Sequence, residues 1–244
     1  LWFITRARRL KRPEIISEAC PKLASLLSKI EGASISVAFV SHSLADAASA
    51  FGHLLLHVRP SHHSSVPRVP LSISFLGQTE GLTSVESVWR GLTGSMQGRF
   101  KVQPYHIQQR QYGQFEARDI YLYPLPMTAA EQTKLATLVY KSQTKKINYT
   151  FFRRNCAYRI QQLVAAAKDL QGKARFQWFT SPSDVLQHFK ELGLIETSSM
   201  WQPATLKRFN HSLEQLNAKQ LNRYRRMIDY DDSEFNIESF DHEV

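Results

Sequence analysis

The sequence predicts an α+β domain with a central antiparallel sheet and helices around it. Strand-like apolar runs gather in the middle of the chain, and segments with helix caps flank them. Strands and helices do not alternate regularly, as they would in a doubly wound sheet. At 244 residues, the chain is long enough for one large domain or for a domain with an appendage.

The strand predictions rest on short runs rich in β-branched and aromatic residues, bounded by turn-forming residues. Residues 13–31 come first and predict one or two short helices, with Pro21 at a break or a new helix start. The predicted strands cover residues 35–42, 51–60, 71–77, 99–107 and 117–125. The last of these alternates, with Ile120 and Leu122 on one face and Tyr121 and Tyr123 on the other.

Capping signals predict where the helices begin. Thr83 and Thr128 are each followed three residues later by glutamate, which is the pattern of a capping box. Ser181 is followed by Pro182, a residue favoured in the first helical position. Asn155 is a good N-cap residue and predicts a helix to about residue 168. Residues 203–228 read as an amphipathic tail helix or pair.

Charge is unevenly distributed along the chain. The formal net charge is +10, although the last sixteen residues contain seven acidic residues and no lysine or arginine, so the preceding body is more basic than the total. Basic clusters at residues 5–12, 145–146, 153–154 and 223–226 indicate either solvated surface or attraction to an anionic surface. Because no nucleic-acid motif accompanies them, we predict a lipid or cell-envelope partner and no nucleic acid.

Cys156 lies in the stretch YTFFRRNCAYRIQQLV, where an aromatic run gives way to a helix. A cap at Asn155 places Cys156 in the first helical turn, where free N–H groups favour negative charge. We expect this position, with Arg153 and Arg154 nearby, to lower the thiol pKa and populate the thiolate at neutral pH. The alternative is a cysteine that only packs inward. The other cysteine, Cys20, reads as a small packing residue.

A thiol nucleophile needs a base, and His53 is the best candidate among nine histidines. It follows Gly52 at the start of an apolar strand, so rigid backbone would hold its side chain beside a residue that permits close approach. The alternative is a buried histidine with its own structural partners. No pattern in the sequence predicts a metal site or a cofactor.

Four landmarks occur in order along the chain: SAFGH, GLTGSMQGRF, EARD before an aromatic strand, and NCAYR on a helix. Together they resemble the Lnb-type periplasmic domain, named for a bacterial lipoprotein N-acyltransferase, over about residues 35–190. That family is similar to circularly permuted papain-like enzymes of the NlpC and lecithin–retinol acyltransferase kind. The resemblance divides the chain into an N-terminal helical segment (1–33), a permuted papain-like catalytic domain (34–195) and a C-terminal helical extension with an acidic tail (196–244).

The resemblance implies roles for individual residues. Cys156 matches the nucleophile and His53 the base, while Asp119 falls in a family motif. A third group usually orients the imidazole, and Glu116 is the first candidate. A structural pairing of Glu116 with Arg118 is the alternative, and His63 is the second candidate for the third group. The residues predicted to bind substrate are Asn155, Ser49, Tyr105, Arg118 and Tyr158.

The implied activity is acyl transfer or hydrolysis through an acyl-thioester on Cys156. The expected partners are phospholipid and lipoprotein substrates, and the expected place is the periplasm, at a membrane surface. Trp2, Phe3, Trp178 and Trp201 suit contact with a membrane. Two alternatives remain at this point: an NlpC-like amidase or peptidase with the same Cys–His pair, and a catalytically silent envelope-binding module.

Overall fold

The protein is α+β, as predicted, and its strands form one antiparallel sheet. The computed structural model describes residues 20–43, 51–61, 68–170 and 180–228. The strands are β1 (Ser34–Val40), β2 (His53–Arg59), β3 (Leu71–Gly77), β4 (Met96–Pro104), β5 (Ile120–Pro124), β6 (Ile147–Tyr149) and β7 (Met200–Gln202). Their order across the sheet is β6-β4-β3-β2-β1-β5-β7, and every neighbouring pair is antiparallel.

Eight α-helices occur in the described part of the chain. They are α1 (Pro21–Ile30), α2 (Ser84–Thr93), α3 (Tyr105–Gln109), α4 (Ala129–Gln143), α5 (Cys156–Ala167), α6 (Pro182–Glu191), α7 (Thr205–Glu214) and α8 (Ala218–Ile228). A π-helical turn, Arg110–Phe115, follows α3 directly. The chain divides into two compact units between Ala204 and Thr205, and α7 and α8 belong to the second unit.

The two faces of the sheet carry separate apolar clusters, as the two-residue period of a strand requires. Leu54, Leu56 and Val58 of β2 enter the larger core with residues of α1, α4, α5 and α6. Leu55 enters a smaller cluster on the other face, with Tyr105 and Tyr112. Each fully buried leucine contributes about 1.5–3 kcal/mol to folding. The larger core therefore holds α5, and with it Cys156, against the sheet.

Most predicted elements are present, and the capping boxes are confirmed. Thr83 and Thr128 each bond reciprocally with the glutamate three residues later. Ser181 forms a third box with Asp184, and Pro182 is the first helical residue. The tail is a pair of helices. The segment before residue 20 lies outside the described residues.

Three predictions of local structure were wrong. The predicted strand 99–107 ends at Pro104, because the chain turns into α3 at Tyr105. Residues 110–115 form a π-helical turn that no sequence signal indicated. The short strand β7 was also missed, and it pairs with β5 at the sheet edge.

Two elements of the fold lie outside the predicted catalytic domain of residues 34–195. Strand β7 lies after residue 195. Helix α1 lies before residue 34 and packs in the main core.

Gln132 joins α4 to the turn between α1 and β1. Its Oε1 atom accepts a hydrogen bond from the Gly32 N–H at 2.8 Å, and its Nε2 atom donates to the Ala33 carbonyl at 2.9 Å. The side chain is buried, so both bonds form away from bulk water. They stabilise the fold because the turn backbone would otherwise lose its partners.

We predict that Gln132→Leu lowers the free energy of unfolding by about 2–3 kcal/mol, since two backbone groups of the turn lose their partners. Urea unfolding followed by circular dichroism measures the change. The slope of the free energy of unfolding against urea concentration is expected to stay constant. Gln143→Leu, at the end of the same helix, is the control and should change stability by less than about 0.5 kcal/mol. Equal losses in the two variants would contradict the prediction.

Candidate active site

Asn155 fixes the start of α5. Its Oδ1 atom accepts a hydrogen bond from the Tyr158 N–H at 3.1 Å, so Asn155 is the N-cap. Its Nδ2 group donates to the carbonyl oxygens of Phe151, at 2.9 Å, and Thr180, at 2.6 Å. These three bonds tie the helix start to two other segments. Cys156 is consequently the first residue of the helix, as the sequence predicts.

The Cys156 thiol is buried, since the residue is only 5% exposed. The backbone N–H groups of Leu54, Ala157 and Cys156 itself act on the thiol through hydrogen bonding. These donors and the charge of Arg118 lower the thiol pKa, but burial outweighs them and raises it to about 11. The expectation of a populated thiolate was therefore wrong, because the predicted helix effect is smaller than the cost of desolvation.

His53 is the first residue of β2, immediately before the Leu54 N–H that reaches the sulfur. Gly52 precedes it with φ of +85°, and a Cβ at that position would lie 2.8 Å from the Val40 carbonyl oxygen. Only glycine therefore suits this approach. Part of the His53 side chain is exposed, but its Nε2 atom is buried and has no hydrogen-bond partner among the described residues.

The imidazole of His53 is neutral in the resting site. Burial, and next the charge of Arg118, lower its pKa from 6.5 to about 3. The ring of Tyr112 lies against it, with the ring centroids 5.8 Å apart. A neutral imidazole can accept a proton, and a neutral thiol can give one. Thiol and imidazole are therefore both uncharged at rest and form no resting ion pair.

Glu116 contacts Arg118 rather than His53. Its Oε2 atom accepts a hydrogen bond from Arg118 Nη1 at 2.7 Å, and its Oε1 atom accepts one from Gln111 Nε2 at 2.9 Å. Both carboxylate oxygens are thus engaged by other residues. The structure has the pairing with Arg118 that was the alternative role for Glu116, while His63 lies outside the described residues.

Arg118 is the cation of the site. Its side chain is 3% exposed, its Nε atom donates to the Ser41 carbonyl at 2.6 Å, and its guanidinium lies 5.1 Å from the centre of the Tyr112 ring. Its Nη2 atom is buried without a partner in the described part of the chain. The charge of Arg118 acts on both His53 and Cys156. Arg118, rather than Arg153 or Arg154, is therefore the charge that influences the thiol.

Asp119, the residue after Arg118, has a structural role. Its Oδ1 atom accepts a hydrogen bond from the Ala204 N–H at 2.9 Å, and its own N–H donates to Ser41 Oγ at 3.0 Å. These bonds connect the start of β5 to the residues after β1 and β7. Asp119 thereby holds the backbone that presents Arg118.

The other predicted substrate-binding residues are dispersed. Tyr105 donates to Gln202 Oε1 at 2.8 Å, and its ring centroid lies 4.3 Å from that of His57 in the smaller apolar cluster. The Tyr158 hydroxyl accepts a hydrogen bond from Gln162 Nε2 at 2.9 Å. Ser49 lies outside the described residues. Among the predicted substrate-binding residues that the structure describes, Asn155 alone lines the cavity at Cys156.

Two tyrosines near Cys156 were missed by the sequence analysis. Burial is the main cause that raises the pKa of both Tyr112 and Tyr149, and the proximity of Cys156 raises it further. Tyr112 comes from the π-helical turn and Tyr149 from β6. Neither element had a sequence signal, although Tyr149 opens the stretch that drew attention to Cys156.

A small cavity of about 20 Å³ lies at the thiol. Its lining is mainly aromatic and consists of Phe51, Gly52, Tyr149, Phe151, Asn155, Cys156 and Pro182. A volume of this size holds about one water-sized group. Phe51 is 43% exposed, so the aromatic lining continues to the surface. The thiol is therefore reached between aromatic side chains.

The fold and the site define an α+β domain in which a buried thiol opens a helix, and a histidine whose Nε2 atom has no partner among the described residues opens a central strand. A family model of the Lnb N-terminal periplasmic domain matches residues 23–191, and the chain belongs to this family of periplasmic domains. No curated protein and no solved structure matches the chain. None of the helices in the described ranges is long and apolar enough to cross a bilayer.

We predict that His53 makes folding stability fall as the pH falls below 6.5. The unfolded imidazole binds a proton near pH 6.5, whereas the folded one does so near pH 3, so the unfolded state binds more protons in this window. Between pH 7 and pH 4, the free energy of unfolding should fall by about 2–3 kcal/mol more in the wild type than in His53→Gln.

Urea titrations of both proteins across this pH range measure the difference, and titration of groups elsewhere cancels between them. His57→Gln serves as a comparison, because burial also lowers the pKa of His57, to about 4. Parallel stability curves for the wild type and His53→Gln would show that His53 is not buried neutral.

Proposed function

We propose that the domain is a cysteine-dependent acyltransferase that takes an acyl group from a lipid ester onto Cys156. The observation that carries the proposal is the buried thiol, on which the backbone groups of Leu54, Ala157 and Cys156 itself act through hydrogen bonding. His53, the residue before Leu54, is neutral, and its Nε2 atom has no partner among the described residues. Nucleophilic catalysis by cysteine needs a base within reach and donors for the oxyanion, and this site has residues for both.

In the first step, the Cys156 sulfur attacks the ester carbonyl while His53 takes the thiol proton. A carbon–sulfur bond forms, the carbon–oxygen bond of the ester breaks, and His53 returns the proton to the departing alcohol. The N–H groups of Leu54 and Ala157 can bind the developing oxyanion. In the second step, an amine attacks the thioester, the carbon–sulfur bond breaks, and the proton from nitrogen passes through His53 to sulfur.

The arrangement also supports a circularly permuted papain-like fold. His53 opens a central strand, and Cys156 opens a helix later in the chain that packs against the sheet. The aromatic lining of the cavity favours an acyl chain over a peptide, because Phe51, Tyr149 and Phe151 offer apolar contact and few hydrogen bonds. The natural acceptor in this proposal is the amine of a lipoprotein.

Intact-mass spectrometry after incubation with a phospholipid and a diacylated lipopeptide tests this proposal. We expect an acyl adduct on the wild type and none on Cys156→Ala. Cys20→Ala is the matched control and should keep the adduct, because Cys20 is the other free cysteine and lies at the cap of α1. His53→Gln should slow adduct formation at least about 100-fold.

Each result of this experiment has a clear meaning. Acylated lipopeptide identifies a transferase, whereas free fatty acid alone identifies a hydrolase. A folded wild type that forms neither adduct nor product would contradict acyl transfer. Peptidoglycan fragments would then be the next substrates for the same Cys–His pair, and a silent envelope-binding module would show no dependence on Cys156 at all.

The exposed apolar face of α2 supports the proposal that the domain acts at a membrane surface. Val85, Trp89 and Leu92 lie on one side of this helix at 79%, 67% and 49% exposure. Gly91 of the same helix contacts Phe151 of the cavity: a Cβ there would overlap the Phe151 ring, and the Gly91 carbonyl accepts from the Phe151 N–H at 3.0 Å. The helix that carries the apolar face is thus packed, through Gly91, against a residue of the cavity wall.

Exposed basic residues occur on α2 and on the part of the chain that leads to and follows the Phe151 segment. Arg90 is on α2 itself, Lys145 and Lys146 precede β6, and Arg154 follows the segment that contacts Gly91. An apolar helix face with cations beside it suits anionic lipid headgroups. In this proposal, α2 rests on the periplasmic side of a membrane and brings the cavity to its acyl-chain substrates.

We predict that Trp89→Ser together with Val85→Ser weakens binding to phosphatidylglycerol-containing vesicles at least about tenfold, because two apolar side chains lose their insertion energy. Vesicle sedimentation measures the binding, which should also weaken as salt rises. Trp201→Ser is the control: Trp201 is 56% exposed on β7, at the opposite edge of the sheet. An equal effect of Trp201→Ser would contradict a role for α2.

A further inference from the structure

A second cavity lies along the seam between α5 and α6. Its volume is about 110 Å³, and its lining consists of Gln161, Thr180, Asp184, Val185, Gln187, His188 and Glu191. Gln161 and Thr180 form its floor at 2% and 4% exposure, while Asp184, Gln187 and Glu191 are exposed at its rim. The cavity is therefore open to ligands at its acidic side.

Two buried polar atoms line the floor without partners in the described part of the chain. They are Gln161 Oε1 and Thr180 Oγ1. A buried oxygen without a hydrogen bond is costly, so its presence in a cavity points to a ligand that donates hydrogen bonds. The carboxylates of Asp184 and Glu191 add negative charge at the rim. A compact cation with several N–H donors fits this combination, and a primary ammonium group is the simplest one.

The cavity is a close neighbour of the thiol. The Thr180 carbonyl accepts the hydrogen bond from Asn155, and Pro182, two residues later, lines the small cavity at Cys156. Gln161 lies five residues after Cys156 on α5, about 7.5 Å along the helix axis and about 140° around it. The two cavities therefore lie near each other, and the Thr180–Pro182 segment contributes to the lining of both.

The distance between this cavity and Cys156 indicates which ammonium group binds in the cavity. An amine that attacks the thioester must come within about 3.5 Å of its carbonyl carbon, so an amine held on this floor is too far away to react. In an ethanolamine phospholipid, roughly nine bonds separate the ammonium nitrogen from an ester carbonyl, on the order of 10 Å when extended. That span covers the separation with some bending.

We propose that this cavity binds the ammonium headgroup of an ethanolamine phospholipid whose ester carbonyl lies at Cys156. This inference rests on the proposed acyl transfer and names the donor for it. Gln161 and Thr180 accept hydrogen bonds from the ammonium, and Asp184 and Glu191 supply the charge. A lipid with a neutral glycerol headgroup lacks these contacts and is the poorer donor.

The test compares donors with identical acyl chains in detergent micelles, so that membrane docking does not contribute. The rate of adduct formation on Cys156 is measured for phosphatidylethanolamine and phosphatidylglycerol. We expect the wild type to prefer phosphatidylethanolamine at least about fivefold. Gln161→Met and Thr180→Val keep the side-chain size and remove the acceptors, so each should bring the ratio of the two rates close to one.

Gln162→Met is the matched control. It makes the same chemical change at the next position of α5, where the amide bonds to Tyr158 instead of lining the cavity. This variant should keep the preference. Equal rates with both lipids in the wild type, or a preference that survives Gln161→Met and Thr180→Val, would overturn the proposal. So would a selective slowing of transfer to the lipopeptide amine, which would assign the cavity to the acceptor.

A binding experiment separates this inference from the proposed activity. Glycerophosphoethanolamine should shift the side-chain amide resonance of Gln161 in an NMR titration of the Cys156→Ala protein, and glycerophosphoglycerol should not. If no lipid acylates Cys156 but this shift occurs, the acyltransferase proposal fails while the headgroup site stands. If adducts form but glycerophosphoethanolamine leaves Gln161 unmoved, the headgroup site is refuted and the activity stands.

Discussion

The site depends first on the side-chain amide of Asn155. One amide satisfies a free N–H of the helix start through Oδ1 and two loop carbonyls through Nδ2. The helix start, the aromatic segment at Phe151 and the segment at Thr180 are thereby fixed relative to one another. Because Thr180 lines the larger cavity along α6 and Pro182 lines the small cavity at Cys156, this amide also fixes a segment that contributes to both.

Burial governs the chemistry of the thiol and the imidazole. A helix start, three N–H groups and a nearby guanidinium all favour a thiolate, and yet the pKa of Cys156 is raised to about 11. At neutral pH, only on the order of one thiol in ten thousand is ionised. Since the thiolate is the species that oxidises and exchanges with disulfides, a buried neutral thiol is protected in an oxidising compartment. In the proposed mechanism, His53 therefore has to take the thiol proton during attack.

The sequence was sufficient for the parts of the site that local rules determine. Asn155 and Cys156 were predicted because capping depends on neighbouring residues, and Gly52 before His53 marked a close approach that the positive φ requires. The antiparallel sheet followed from apolar runs of the right length. The same rules placed the helix starts at Thr83, Thr128 and Ser181.

The consequences of tertiary packing could not be predicted from the sequence. The thiol pKa was predicted in the wrong direction, because desolvation depends on β2 and on Tyr112 and Tyr149, which are distant along the chain. The π-helical turn that carries Tyr112 has no local signature. The pairing of Glu116 with Arg118 was foreseen only as an alternative, since both roles use the same carboxylate. The formation of short strands such as β6 and β7 depends on the strands they pair with rather than on their own residues.

The charge of Arg118 acts on both His53 and Cys156. It favours the neutral form of the imidazole and the charged form of the thiol. It lowers the pKa of His53, which disfavours imidazolium, and it lowers the pKa of Cys156, which favours thiolate. A tetrahedral intermediate adds negative charge on oxygen, and a buried guanidinium with an unpartnered Nη2 stabilises such charge over several ångströms. Its bond to Glu116 offsets part of that charge, so the resting site avoids an isolated buried cation. In the proposed mechanism, this arrangement would stabilise the anion that forms during acyl transfer, while both reacting groups stay neutral beforehand.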